Sequence, residues 1–206
     1  MTKNDIYVAV LGDAVASRTL AARDRAALQA ALREALARVN RTWKSAIAAR
    51  FAITLGDQFE GLLHDTAPLW AIVHVLRAAL RAHDWVVVAA RGGISTPLAR
   101  SALEVDGPCL HAARDALEAA KREGRVLAFA GFPQPVEALA RYYSALYSSW
   151  TARQREVAAL LRTRDAAAVA AELKIDRSAV SHLSRRMRWP LVAAADREFR
   201  LLLEVR

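Results

Sequence analysis

The chain has 206 residues, a formal net charge of +9 and a pI near 10.5, enough length to bury a core in one medium domain plus a small one. It is 54% hydrophobic, yet much of that is alanine and no apolar run reaches the ~18 residues of a membrane span, so no membrane insertion is expected. The single cysteine, Cys109, excludes an internal disulfide and suits a reducing cytoplasm.

The N-terminal residues carry no leader pattern and run straight into a first strand, Ile6 to Leu11, which ends in Gly12-Asp13. Leu28, Leu32, Leu36, Val39 and Trp43 recur at spacings of three and four and predict a helix from about Ala22 to Asn40. Phe51, Ile53 and Leu55 alternate with small or polar residues as a half-buried strand does. Gly56-Asp57 then suits a tight hairpin, and Gln58 to Leu63 leads back. Two strands that both end in Gly-Asp can place Asp13 and Asp57 side by side, the oxygen-rich pairing that Mg²⁺ or Mn²⁺ needs. Leu69, Val73, Leu76 and Leu80 predict a helix over Pro68 to Arg81. His64, His74 and His83 show no convergent ligand spacing.

Trp85 to Ala90 is a continuous apolar run, a central strand buried on both faces, and it ends in Arg91-Gly-Gly-Ile-Ser95. Asp106-Gly-Pro opens a helix to about Glu123 with Leu110, Ala113 and Leu117 inward and Arg114 one position on. Val126 to Ala130 is a further strand. The order β-α-β-β-α-β-α-β predicts an α+β fold, a ferredoxin-like palm over residues 1–132. Pro133 and Pro135 mark a boundary. Val136, Leu139, Tyr143, Leu146 and Trp150 then repeat at three and four, a connecting helix over residues 133–150 that could also serve a homodimer.

Residues 151–206 hold 12 Lys and Arg against 7 Asp and Glu, so the positive charge concentrates at this end. Thr151 to Gln154 has the form of a capping box. Asp165 and Asp176 can cap two further short helices. Ala170, Leu173, Ile175, Val180 and Leu183 match the interior spacing of a helix-turn-helix. That turn commonly has glycine where Lys174 stands, so a positive φ there carries a cost. The outer face of the last helix holds Arg177, Ser178, Ser181, His182 and Arg185, with Arg186 and Arg188 nearby. Residues 177–188 contain four arginines and no acid, a surface suited to double-stranded DNA.

The ordered set of motifs resembles the SatD family. It comprises Tyr-Val-Ala-Val-Leu-Gly-Asp13, Ile53-Thr-Leu-Gly-Asp57-Gln-Phe-Glu-Gly, Arg91-Gly-Gly-Ile-Ser95, Asp106-Gly-Pro108, Ala113-Arg-Asp-Ala-Leu117 and Trp150-Thr-x-Arg-Gln. The resemblance implies architecture, with an association with bacterial stress and acid tolerance, more than an activity. The first part also resembles the palm of class III nucleotide cyclases and diguanylate cyclases. That likeness implies two metals on Asp13 and Asp57, a nucleotide held around Gly12, Gly56, Arg91, His111 and Arg114, and Arg114 as a transition-state arginine. His111 stands where the cyclase pattern has asparagine, and Ile53 where it has a purine-selecting polar residue. Both departures point to binding without turnover. The expected function is therefore a DNA-binding transcriptional regulator whose palm senses a nucleotide or metal. The alternatives are a metal-dependent nucleotidyl cyclase or nucleotidyltransferase, and a pure interaction adaptor.

Overall fold

A computed structural model describes residues 5–204, apart from the side chain of Arg18; the ends of the two outer domain ranges, residues 1–4 and 205–206, lie outside the described residues. The elements run β1 (Tyr7–Ala14), α1 (Ala22–Thr42), β2 (Ile47–Ile53), β3 (Gln58–Leu63), α2 (Leu69–Ala79), β4 (Trp85–Gly92), α3 (Pro108–Arg122) and β5 (Leu127–Ala130). Five helices follow: α4 (Gln134–Ser149), α5 (Ala152–Leu161), α6 (Ala166–Leu173), α7 (Arg177–Arg186) and α8 (Trp189–Glu204).

The sheet has the order β2-β3-β1-β4-β5. β1 is antiparallel to both β3 and β4, β2 is antiparallel to β3, and β5 is parallel to β4. The first four strands therefore have the split βαβ arrangement of a ferredoxin-like palm, and α3 is the crossover that a parallel fifth strand requires. Alternation along β1 divides the core. Val8, Val10 and Ala14 join α1 and α2 on one face. Tyr7, Ala9 and Leu11 join Cys109, Leu110, Ala113 and Leu117 of α3 on the other. The elements are α+β as the sequence pattern predicts, and the three inward residues expected on α3 are all buried.

Three details differ from the expected elements. α1 runs past Asn40 to Thr42, because the Asn40 amide is used laterally: it donates to Phe51 O and accepts from Phe51 N, both at 2.9 Å. The hairpin strand starts earlier, at Ile47, and stops at Ile53, so Leu55 is exposed in the turn. α8 has no counterpart among the expected elements. Its Phe199 lies 4.2 Å, centroid to centroid, from Trp70 of α2. The helices after residue 150 thus share one hydrophobic core with the α1–α2 face.

Along the 136–150 seam, Val136, Tyr143 and Trp150 are buried within this chain, whereas Leu139 is exposed. Among the described residues, no helix is long and apolar enough to cross a membrane.

Candidate functional site

Asp13 sits at the C-terminal end of β1, with Gln58 opposite it on β3 and Val86 on β4. The hairpin turn is closed by Gln58 N donating to Leu55 O at 2.9 Å. Gly56 takes φ 60° there, a conformation that a side chain would resist. This turn brings Asp57 to the same edge of the sheet. Asp13 and Asp57 line one cleft of about 630 Å³, together with Ser17, Asp84, Lys121 and Arg125, and with Ser148 and Arg155 from the later helices. The volume is in the range of small-molecule sites.

Asp13 is nearly buried and ion-paired to Lys121 near the end of α3. Partial burial pulls the Lys121 ammonium down, but hydrogen bonds to Asp13 and to Glu118 outweigh it and hold its pKa above the ordinary value. Arg155 Nη1 lies 3.3 Å from Asp84 Oδ2. Arg125 is held from behind by Glu137 at 2.7 Å and Glu123 at 2.9 Å. Asp57 has no hydrogen-bond or ion-pair partner among the described residues.

Among the described residues, no three His, Cys, Asp or Glu side chains gather as metal ligands would. Asp13 and Asp57 alone supply fewer oxygens than a hard divalent cation takes; Asp13 already holds an ammonium, and the third carboxylate of the cleft, Asp84, holds Arg155. A divalent cation on these carboxylates would take its remaining oxygens from water or from a ligand.

The residues that the cyclase likeness groups together lie in separate places. Gly56 borders the cleft with Asp57. Gly12 lies under Phe59, whose ring occupies the space that a Cβ would need; here glycine serves packing. His111 and Arg114 stand on the first half of α3. His111 Nε2 is 2.9 Å from Asp106 Oδ1, while Arg114 reaches Asp106 at 3.4 Å and Glu60 at 3.5 Å. Burial pushes the Glu60 carboxyl up, partly offset by Arg114. Arg114 and Lys121 are seven residues apart, about 10 Å along the helix axis, and Arg114 does not line the cleft. Arg91 falls on the other face of the sheet. Its guanidinium lies 5.9 Å from the Phe132 ring, and it lines a separate hollow with His64 and Thr66.

Beyond the sheet, Thr151 and Gln154 form both bonds of the capping box, and the side chains of Asp165 and Asp176 accept from Ala168 N and Ser178 N. Lys174 takes φ 52° in the three-residue turn from α6 to α7. Val180 is buried beneath α7, which packs on α5, α6 and α8. Arg177, Ser178, Ser181, His182, Arg185, Arg186 and Arg188 are all exposed. None of the four arginines has a carboxylate partner among the described residues.

Lys121 and Arg155 are not among the residues that the sequence singles out. Helical period offered a signal for Lys121, since Arg114, Glu118 and Lys121 share one side of α3. Arg155 had none, because its place depends on how α5 docks.

No curated protein matches the chain. Among solved structures, a bacterial light-regulated adenylyl cyclase is similar at a TM-score of 0.48 and 11% identity, covering 60% of this chain and 74% of that one. The profile of the SatD family matches residues 7–126, from β1 to the edge of β5, and the chain belongs to that family.

Proposed function

We propose that the chain is a DNA-binding regulator in which α6, the Lys174 turn and α7 form a helix-turn-helix, and in which the Asp13–Asp57 cleft senses a nucleotide. The observation that carries this reading is the charge of α7 and the link after it: four exposed arginines over residues 177–188, free of acidic partners among the described residues. An exposed arginine with no internal carboxylate is ready to exchange water and counterions for phosphate or a guanine edge. The first residues of α7 are those that a helix entering the major groove presents to bases, so Arg177, Ser178, Ser181, His182 and Arg185 would face base edges, and Arg186 and Arg188 the backbone. On the cleft side, a nucleotide phosphate would replace the carboxylate partners of the lining cations. Mg²⁺ or Mn²⁺ would enter with it, on Asp13 and Asp57.

The test is fluorescence anisotropy with a labelled duplex across a salt series. A steep fall of affinity with salt is expected. Arg188→Ala should flatten the slope by about one unit, and Arg185→Ala should reduce discrimination between a selected site and random sequence. Absence of salt-dependent binding at 50 mM salt would remove the DNA reading. For the cleft, thermal stability is measured with Mn²⁺ and each nucleoside triphosphate, for wild type beside Asp57→Asn. A shift that needs Asp57 and leaves the nucleotide intact supports a sensor. A cyclic product, or a pyrophosphate-transfer product, supports the enzyme alternative.

A further inference from the structure

The cleft is not built from the sheet layer alone. Ser148, near the end of α4, and Arg155, in the first turns of α5, form part of its wall. Arg155 bridges two parts of the fold: its guanidinium meets Asp84 beside the start of β4 at 3.3 Å and lies 5.5 Å from the Tyr147 ring of α4. A second hollow of about 100 Å³ opens on the other side of the same pair, so the guanidinium has room to leave Asp84 without repacking the core.

The cations in the wall are not equivalent. Arg125 is fixed from behind by two glutamates. Lys121 and Arg155 instead hold the cleft's own aspartates, Asp13 and Asp84. An anion that enters can replace those aspartates as the acceptor.

We infer that the cleft is a composite site for a phosphate-bearing ligand, in which Arg155 of α5 is a direct ligand contact and Lys121 of α3 a second. The planar guanidinium fork matches a phosphate edge, and the ammonium adds a point charge across the cleft. Asp57, which has no partner among the described residues, sets what else the ligand brings: a hydrogen-bond donor or a bound cation facing that carboxylate. Arg155 lies four residues beyond the Thr151 cap of α5, the helix that packs against α6 and α7. Occupancy that draws Arg155 off Asp84 therefore acts on the helix behind α7, and by linkage DNA at α7 acts on ligand affinity to the same degree. This linkage rests on the reading of α7 as the DNA contact.

The experiment uses the full chain, inorganic pyrophosphate as probe, and a labelled duplex at fixed ionic strength. DNA affinity without probe is read first for each variant, and the ratio with and without probe is the measure of coupling. For wild type, calorimetry should show pyrophosphate binding, and saturating probe should change DNA affinity by about fivefold or more. Arg155→Gln should weaken pyrophosphate about tenfold and bring the ratio near one. Asp84→Asn releases Arg155 from its internal acceptor, so it should bind pyrophosphate more tightly than wild type. That gain cannot come from a misfolded protein.

A wild type that does not bind pyrophosphate overturns the inference. So does an Arg155→Gln protein that keeps both affinity and coupling, since the probe would then be competing at α7. Failure of probe-free wild type to bind the duplex overturns the α7 reading and the linkage with it, and the calorimetry still reports separately on the cleft.

Discussion

Lys121 of α3 is ion-paired with Asp13 of β1, across the cleft edge that the β2–β3 hairpin completes. The Asp13 side chain is 11% exposed and that of Lys121 29%, so this pair is largely out of water. Lys121→Met leaves Asp13 without its cation and should destabilise the fold by about 2 kcal/mol, the cost of an uncompensated, mostly buried charge. Adding Asp13→Asn removes that charge as well, so the double variant should be more stable than the sum of the single losses predicts, with a coupling of about 1 kcal/mol. Urea unfolding of the four proteins measures it. Strict additivity would mean that Asp13 is held by the strand alone.

A glycine under an aromatic ring occurs twice in this sheet. Phe59 covers Gly12, and Phe51 covers Gly61, with the two rings 6.3 Å apart. Gly12→Ala should cost about 1–3 kcal/mol by overpacking, and Phe59→Leu should relieve part of that loss in the double variant. Gly56→Ala should cost only about 1 kcal/mol, from its positive φ, because nothing lies within 4 Å of the added methyl. Thermal denaturation that ranks Gly56→Ala as the worse of the two would contradict this packing role for Gly12.

Much of this fold is legible in the sequence because its signals are local. The apolar runs, the Gly56-Asp57 turn and the three-four spacing of α1, α2 and α3 need no partner to be read. Placement of site residues is a tertiary property and was only half legible. Asp13 and Asp57 reach one cleft because β1 pairs with β3 in the register that sets Asp13 opposite Gln58, next to the turn. Arg91 pairs with Val8, and therefore points to the α1–α2 face, away from Asp13. Nothing local to Arg91-Gly-Gly reveals which face that is. The early start of β2 is hidden for a related reason: Ala48-Ala49-Arg50 lacks alternation, and its pairing with β3 is irregular.

His74 of α2 gives the fold an acid sensitivity with a definite sign. It is buried beside Arg162, and burial first, then that guanidinium, lowers its pKa to about 3. Nε2 lies 3.7 Å from Asp196 Oδ1, beyond hydrogen-bond reach, so the imidazole stays neutral and Arg162 is the cation that balances Asp196, at 2.9 Å. The unfolded chain binds this proton near the ordinary histidine value of about 6.5, and the folded chain only near 3. Stability contributed by the neutral ring is thus complete above about pH 6.5 and declines as pH falls toward 3, by up to about 1.4 kcal/mol per unit. His74→Asn removes that titration. Chemical denaturation between pH 7 and 4 should show a shallower decline than wild type; parallel curves would place the acid sensitivity in other groups.

The turn between α6 and α7 carries a cost that a single substitution can relieve. Lys174 caps α6 at φ 52° and ψ 47°, and its N–H reaches back to the carbonyls of Ala170 and Ala171. Left-handed backbone costs a non-glycine residue about 1 kcal/mol, because Cβ crowds the following carbonyl. Lys174 is exposed and makes no side-chain hydrogen bond or ion pair among the described residues, so little is lost with its side chain. Lys174→Gly should therefore stabilise the chain by up to about 1 kcal/mol, reduced by the greater freedom of glycine in the unfolded state. Lys174→Val should destabilise it by more than that, since β-branching worsens the same clash. Because both variants leave the arginines of α7 in place, duplex affinity should follow wild type for Lys174→Gly, apart from the loss of one nearby positive charge. A Lys174→Gly protein less stable than wild type would show that the strain relieved in this turn is smaller than the unfolded-state freedom that glycine adds.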